Sequence, residues 1–189
     1  MRIGVLGGSF DPIHHGHLIA ARSLLEILSL EQVRLVPAGA QPLKRGRHHA
    51  PAEDRAAMVA LSVEHEPGLE LDRVELERAG PSYTIDTLRR MLARGLEPVL
   101  LMGSDAAGEF DQWHSAAEIR SLVEVVVFTR AGRQAPEGLG FKTVAVPLID
   151  VSATEIRQRR LAGRSIRYLV PDRVVDYIVT HRLYQSEMG

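Results

Sequence analysis

The chain has 189 residues, 45% of them hydrophobic, enough for one globular domain to bury a core of its own. Lys and Arg total 23 against 24 for Asp and Glu, so no global field draws the chain to nucleic acid or an anionic membrane, and any basic site must be local. The absence of cysteine excludes a disulfide framework, a thiolate zinc site and redox thiol chemistry; no run approaches a membrane helix or a secretory signal, so the expectation is a soluble, cytoplasmic protein.

Short runs rich in Val, Ile and Leu predict buried strands at Arg2–Leu6, Gln32–Val36, Leu69–Leu76, Pro98–Met102, Val123–Phe128 and Thr143–Val146. Between them, Leu18, Ala21, Leu25 and Leu28, and later Ile85, Leu88 and Leu92 before Gly95, are spaced by three or four residues and share one helical face. Such alternation requires long right-handed crossovers between parallel neighbours, which predicts a doubly wound parallel α/β sheet in a single domain spanning residues 1–189. Ligands of such sheets bind beyond the carboxyl ends of the strands, so the loops that follow strands carry the interest. The stretch Gln41–Ala52, with Lys44, Arg45, Arg47, His48 and His49 between Pro42 and Pro51, reads either as a solvated surface loop or as a mobile lid over an anionic substrate. Ala131–Gly140 reads as a loop, and Pro171 followed by Val174, Val175 and Ile178 opens a C-terminal helix docked by packing.

The first predicted strand runs into Gly7-Gly8-Ser9-Phe10-Asp11-Pro12-Ile13-His14-His15-Gly16-His17-Leu18, with a helix beginning at about Gly16. Glycines after a strand let backbone approach a ligand closely, and the N–H groups opening the next helix carry partial positive charge; together they point to a phosphate. The pattern is neither G-x-G-x-x-G nor G-x-x-x-x-G-K-[ST], so dinucleotide and P-loop chemistry lose their support. His14 and His17 are three apart, which on a helical first turn lets both imidazoles face the same phosphates, with Gly16 leaving room. A zinc site on His14, His15 and His17 would lack further ligands at suitable spacing, Asp11 being the only near acid, and no protein metal ligand is assigned.

Near the other end, Val151-Ser152-Ala153-Thr154-Glu155-Ile156-Arg157 opens a further helix. Ser152 and Glu155 form a capping-box pattern, which leaves Thr154 and the planar guanidinium of Arg157 for a phosphate. Glu155 opposes an anion there unless its side chain folds back to the cap. On residues alone, Trp113 reads as core and Thr84 as the N-cap of the helix through Leu92, while Asp105 reads equally as a helix cap or as an acceptor for ribose hydroxyls.

The run G-G-S-F-D-P-x-H-x-G-H-L resembles the signature of the nucleotidyltransferase superfamily built around H-x-G-H, and Ser152-x-Thr154-x-Ile156-Arg157 resembles that superfamily's S-x-T-x-I-R motif. The resemblance implies a Rossmann-like sheet in which His14, His17 and Arg157 stabilise charge during AMP transfer. It further implies ATP binding by Gly8, Ser9, Phe10, Gly103, Asp105, Ser152 and Thr154, with the part from about 150 to 189 forming helices that complete the ATP site. Gly80-Pro81-Ser82-Tyr83-Thr84-Ile85-Asp86-Thr87, Gly103-Ser104-Asp105 followed by Trp113, and the ending from Tyr168 to Tyr184 are similar to the bacterial nicotinate-mononucleotide adenylyltransferases, so the resemblance covers nearly the whole chain.

That family implies ATP and nicotinate mononucleotide as substrates, Mg²⁺ bound mainly through the ATP phosphates, and Ser9, Lys44, Thr84 and Trp113 at the acceptor. One departure stands out: Gln41-Pro42-Leu43-Lys44 replaces the frequent Pro-Pro-His-Lys, so Leu43 offers no imidazole and Lys44 is the remaining candidate. No Lys or Arg occurs within 81–87 or 103–113, so backbone N–H groups near Thr84 are expected to receive the nicotinate carboxylate while Trp113 stacks on the pyridine. Rival readings are an adenylyltransferase for nicotinamide mononucleotide or phosphopantetheine, against which His14 counts, since Thr usually stands there in the phosphopantetheine enzymes. A non-catalytic nucleotide sensor would not need His14, His17, Thr154 and Arg157 together. A homo-oligomer is left open.

Overall fold

A computed structural model describes residues 1–39, 49–78, 80–130, 140–147 and 149–185. The six expected strands form as β1 (Arg2–Gly8), β2 (Gln32–Pro37), β3 (Leu69–Leu71), β4 (Glu97–Gly103), β5 (Glu124–Arg130) and β6 (Lys142–Val146). All pair in parallel, in the order β3-β2-β1-β4-β5-β6. The chain winds outward from β1 to β3, then returns to place β4 on the other flank of β1. Crossovers therefore diverge between β1 and β4, and the loops leaving these two strands border the crevice that this topology creates.

The helices are α1 (His15–Ile27), α2 (Ala52–Val63), α3 (Thr84–Ala93), α4 (Ser104–Ala107), α5 (Ala116–Leu122), α6 (Ala153–Leu161) and α7 (Asp172–Thr180). The strands read as continuous apolar runs because each face of the sheet has its own core. Leu6, Leu35, Leu101 and Val126 pack with Leu24 of α1, Met58 of α2, Ile156 of α6 and Ile178 of α7. Ile3, Val5, Leu100, Met102 and Val127 pack on the opposite face with Ile85, Leu88 and Met91 of α3 and Ile119 of α5.

β3 stops at Leu71, short of the expected Leu76. The Asp72 carboxylate pairs with Arg34 at 3.0 Å and accepts the Val74 N–H at 3.0 Å, which turns the chain off the sheet edge. Val74 is apolar because it enters the core from that turn, not because the strand continues. Ala52 belongs to α2 instead of the preceding loop, with Pro51 at the N-cap. The buried face of α2 mixes Arg55 and Ser62 with Ala56, Met58, Val59 and Val63, which masks its periodicity in the sequence. Of the two loop-like stretches, 41–48, including Lys44, and 131–139 lie outside the described residues. Among the described residues no helix is long and apolar enough to cross a membrane.

Candidate active site

The loop leaving β1 is shaped by its own residues. Phe10 adopts a left-handed backbone with φ 46° and folds its ring back over Gly8, where a Cβ would lie 3.0 Å from a ring carbon. His14 is the N-cap of α1, and the first turn of that helix holds no acid. The His14 and His17 rings stack with centroids 3.7 Å apart, and the edge contact of Phe10 with His17 spans 5.1 Å. His17 Nδ1 accepts the His14 backbone N–H at 3.3 Å. A Cβ at Gly16 would sit 3.0 Å from His14 Nδ1, so glycine is what lets that imidazole lie across the helix start. Both rings thus share the end of α1 where the helix dipole is positive.

α6 approaches the same loop. Ser152 caps it, its hydroxyl accepting the Glu155 N–H at 3.1 Å, while Glu155 itself is exposed. The Arg157 guanidinium donates to the Asp11 carbonyl at 2.7 Å and to Thr154 Oγ1 at 3.1 Å. Two helix starts far apart in sequence are therefore tied together at the carboxyl edge of the sheet.

Three buried polar residues that sequence reasoning passed over hold this arrangement. Asp11, 4% exposed, accepts the His49 N–H at 2.7 Å, the Ala50 N–H at 3.1 Å and the Tyr184 hydroxyl at 2.7 Å. Arg55, 2% exposed, donates to the Ser9 carbonyl at 2.7 Å and the Ala38 carbonyl at 2.8 Å, joining the chain beyond β1 to the chain beyond β2. Burial pulls the Arg55 guanidinium below its usual range, with Asp11 opposing that shift. Burial and the neighbouring Asp11 push the Tyr184 phenol far upward, so its hydroxyl stays a donor.

A second cluster lies where α3 begins. Tyr83, not Thr84, is the N-cap; its backbone is extended and its carbonyl takes the Asp86 N–H at 3.1 Å, which makes Thr84 the first helical residue. The Tyr83 ring meets His114 at 4.3 Å, bringing Pro81–Thr87 against the segment of Trp113. Trp113 is half-buried, 5.5 Å from Phe110 at the edge of the core, which grants the core reading part of the indole. Gly103 ends β4 and caps α4, so Asp105 is not the cap; it stands exposed in the first turn.

Arg78 donates to the Pro81 carbonyl at 3.2 Å and pairs with Asp86 at 3.2 Å, which brings a guanidinium beside a segment that contains none. Behind it, Glu75 accepts from Thr87 Oγ1 at 3.2 Å and from the Gly39 N–H at 3.4 Å. Burial pushes the Glu75 carboxyl up despite the hydrogen bonds from Thr87 and Gly39 and the charge of Arg78. Gly39 must be glycine, because a Cβ there would lie 2.5 Å from Ser82 Oγ.

Residues 5–159 match the model of the cytidylyltransferase-like family. The probable nicotinate-nucleotide adenylyltransferase of Roseiflexus sp. (strain RS-1) is 42% identical over 97% of this chain and 98% of its own. That of Acidothermus cellulolyticus is also 42% identical, over 100% of this chain and 96% of its own. The chain belongs to the nicotinate-nucleotide adenylyltransferases of the cytidylyltransferase-like family. Plasmodium falciparum nicotinic acid mononucleotide adenylyltransferase complexed with NaAD has the same fold, with a TM-score of 0.79 over 97% of each chain at 18% identity.

Within this adenylyltransferase, the sequence-derived residues fall into two groups. His14, His17, Thr154 and Arg157 meet through the first loop, with Gly8, Ser9 and Phe10 forming that loop. Thr84 and Trp113 lie together through Tyr83 and His114. Gly103 lies two residues beyond the pairing of Leu6 with Leu101, so it stands near the end of β1. Among the described residues, no three His, Asp or Glu side chains gather as a metal site.

Proposed function

We propose that this adenylyltransferase promotes in-line attack of the 5′-phosphate of nicotinate mononucleotide on the α-phosphorus of ATP, releasing pyrophosphate, and that it prefers the acid to the amide acceptor. The observation that carries this reading is the Arg157 bridge from α6 to the Asp11 carbonyl at 2.7 Å, which sets two helix starts, two imidazoles, a hydroxyl and a guanidinium on one edge of the sheet. Phosphoryl-type transfer asks for positioning and charge stabilisation without a protein nucleophile, and this set supplies both.

In this scheme His14, His17 and Arg157 stabilise the charge of the reacting triphosphate, Thr154 joins Arg157 at its outer phosphates, and Gly8, Ser9 and Phe10 offer backbone N–H groups. Ser152 orients the start of α6, Gly103 and Asp105 face the ribose, and the part from about 150 onward completes the ATP site. Mg²⁺ accompanying ATP would be held mainly by phosphate oxygens and would offset part of their charge, with no protein ligand assigned to it. Ser9, Lys44, Thr84 and Trp113 serve the acceptor; the first N–H groups of α3 receive its carboxylate, and Arg78 adds positive potential.

A pyrophosphate-release assay with ATP and nicotinate mononucleotide, nicotinamide mononucleotide or phosphopantetheine tests the reading. The highest kcat/KM is expected with nicotinate mononucleotide. An equal or higher value with the amide overturns the preference, and no turnover with any acceptor replaces catalysis with nucleotide sensing.

A further inference from the structure

The chain beyond α7 is bent inward at a conformational cost. Arg182 and Tyr184 both take left-handed backbones, with φ 53° and 57°, a region that side chains other than glycine seldom adopt. The bend at Arg182 has a local cause: the Arg182 N–H reaches the Val179 carbonyl at 3.2 Å and the Leu183 N–H the Ile178 carbonyl at 3.0 Å, as helix ends commonly do. The bend at Tyr184 turns its side chain inward. It delivers a side chain only 8% exposed to the Asp11 carboxylate at 2.7 Å. A left-handed backbone that serves a buried polar contact directs attention to what that contact does.

Asp11 joins the two halves of the phosphate site: its carbonyl holds Arg157, and the residues after it carry His14 and His17. Among the described residues, the other donors to its carboxylate are the N–H groups of His49 and Ala50. We propose that Tyr184 is a positioning residue for AMP transfer: its hydroxyl fixes the Asp11 carboxylate, and through the Asp11 carbonyl it fixes the reach of Arg157 toward the triphosphate. The inference rests on the reading of Arg157 as a phosphate ligand. Tyr184 touches no substrate; it acts through the loop, and the raised pKa of its phenol keeps the proton in place across the working pH range. A second tie from the same region, the His15 N–H to the Leu169 carbonyl at 3.0 Å, holds the start of α1 independently, so loss of the Tyr184 hydroxyl leaves α1 docked.

The test is steady-state kinetics on the full chain carrying Tyr184→Phe, Arg157→Ala and both, with melting curves for each. Tyr184→Phe is expected to lower kcat about three- to tenfold, the scale of a single hydrogen bond, while KM for nicotinate mononucleotide stays within about twofold. In the double variant the Tyr184 effect should vanish, because its route runs through Arg157. Unchanged kcat in Tyr184→Phe, or effects that multiply independently in the double variant, overturns the proposal. An Arg157→Ala enzyme with normal kcat instead refutes the phosphate-site reading on which it rests. If Tyr184→Phe melts below the assay temperature, the same single and double variants measured at a lower temperature decide the matter by the same criteria.

Discussion

Replacing Arg55 by Met separates the energetic role of a buried charge from its mere volume. The guanidinium makes two charge-assisted hydrogen bonds to the Ser9 and Ala38 carbonyls, each worth about 1.5–3 kcal/mol. It also faces Asp11, whose carboxylate keeps the His49, Ala50 and Tyr184 donors after the substitution and so does not become an orphan charge. Against these losses, removing the guanidinium relieves a desolvation penalty of several kcal/mol, and Met fills most of the vacated space. Two carbonyls left without their donor, at about 1–3 kcal/mol each, tip the balance, and a net destabilisation of about 3–5 kcal/mol is expected. At about 2–4 °C per kcal/mol for a domain of this size, Tm should fall by about 6–20 °C in a thermal circular-dichroism scan. Arg55→Lys, which keeps the charge but cannot fork onto both carbonyls, should fall between the two. A Met variant melting within about 2 °C of the parent would show that desolvation cancels the hydrogen bonds, and the reasoning would fail.

Three further outcomes are expected. His17→Ala should lower kcat by about 10² or more with little change in Tm, since it removes one preorganised group from the phosphate site; near-normal kcat with a much lower Tm would make His17 structural. Trp113→Ala should raise KM for nicotinate mononucleotide about tenfold and leave KM for ATP within a few-fold, read from initial rates, whereas equal weakening of both substrates would return the indole to a packing role. Because burial raises the Glu75 pKa above its unfolded value, its stabilising share is complete below the ordinary carboxylate pKa and is lost as pH rises through the raised value. Glu75→Gln should therefore gain on the parent in urea midpoint as pH climbs from about 4 to about 7, and parallel pH profiles for the two proteins would contradict the shift.

The strand pattern and the two helix starts at His14 and Ser152 are legible because each is a local signal. A buried strand needs a continuous apolar run, and an anion site needs glycines, a helix start and a few donors within one turn. Thr84 was misplaced by one position because the cap of α3 uses no side-chain hydrogen bond, so nothing in the sequence marks Tyr83. Arg55 was invisible for a different reason: on a helix, an arginine between Asp54 and Ala56 looks solvated, and only the fold closes the sheet edge over it. Asp11 and Tyr184 stand 173 positions apart, and neither type of residue announces a partner at that range. Arg78 lies just upstream of 81–87, and only the fold shows that its guanidinium reaches back to the Pro81 carbonyl.

The tie between Arg157 and the Asp11 carbonyl also sets an order of assembly. β1 through β5 can pair while the chain from α6 onward is still inside the ribosome, since domains acquire structure as they emerge. At that stage the chain that carries His14 and His17 is already made, but the guanidinium that reaches the Asp11 carbonyl is not. A chain that stops before α6 therefore lacks the tie across the sheet edge, and on the proposed role of Arg157 it would hold a triphosphate weakly.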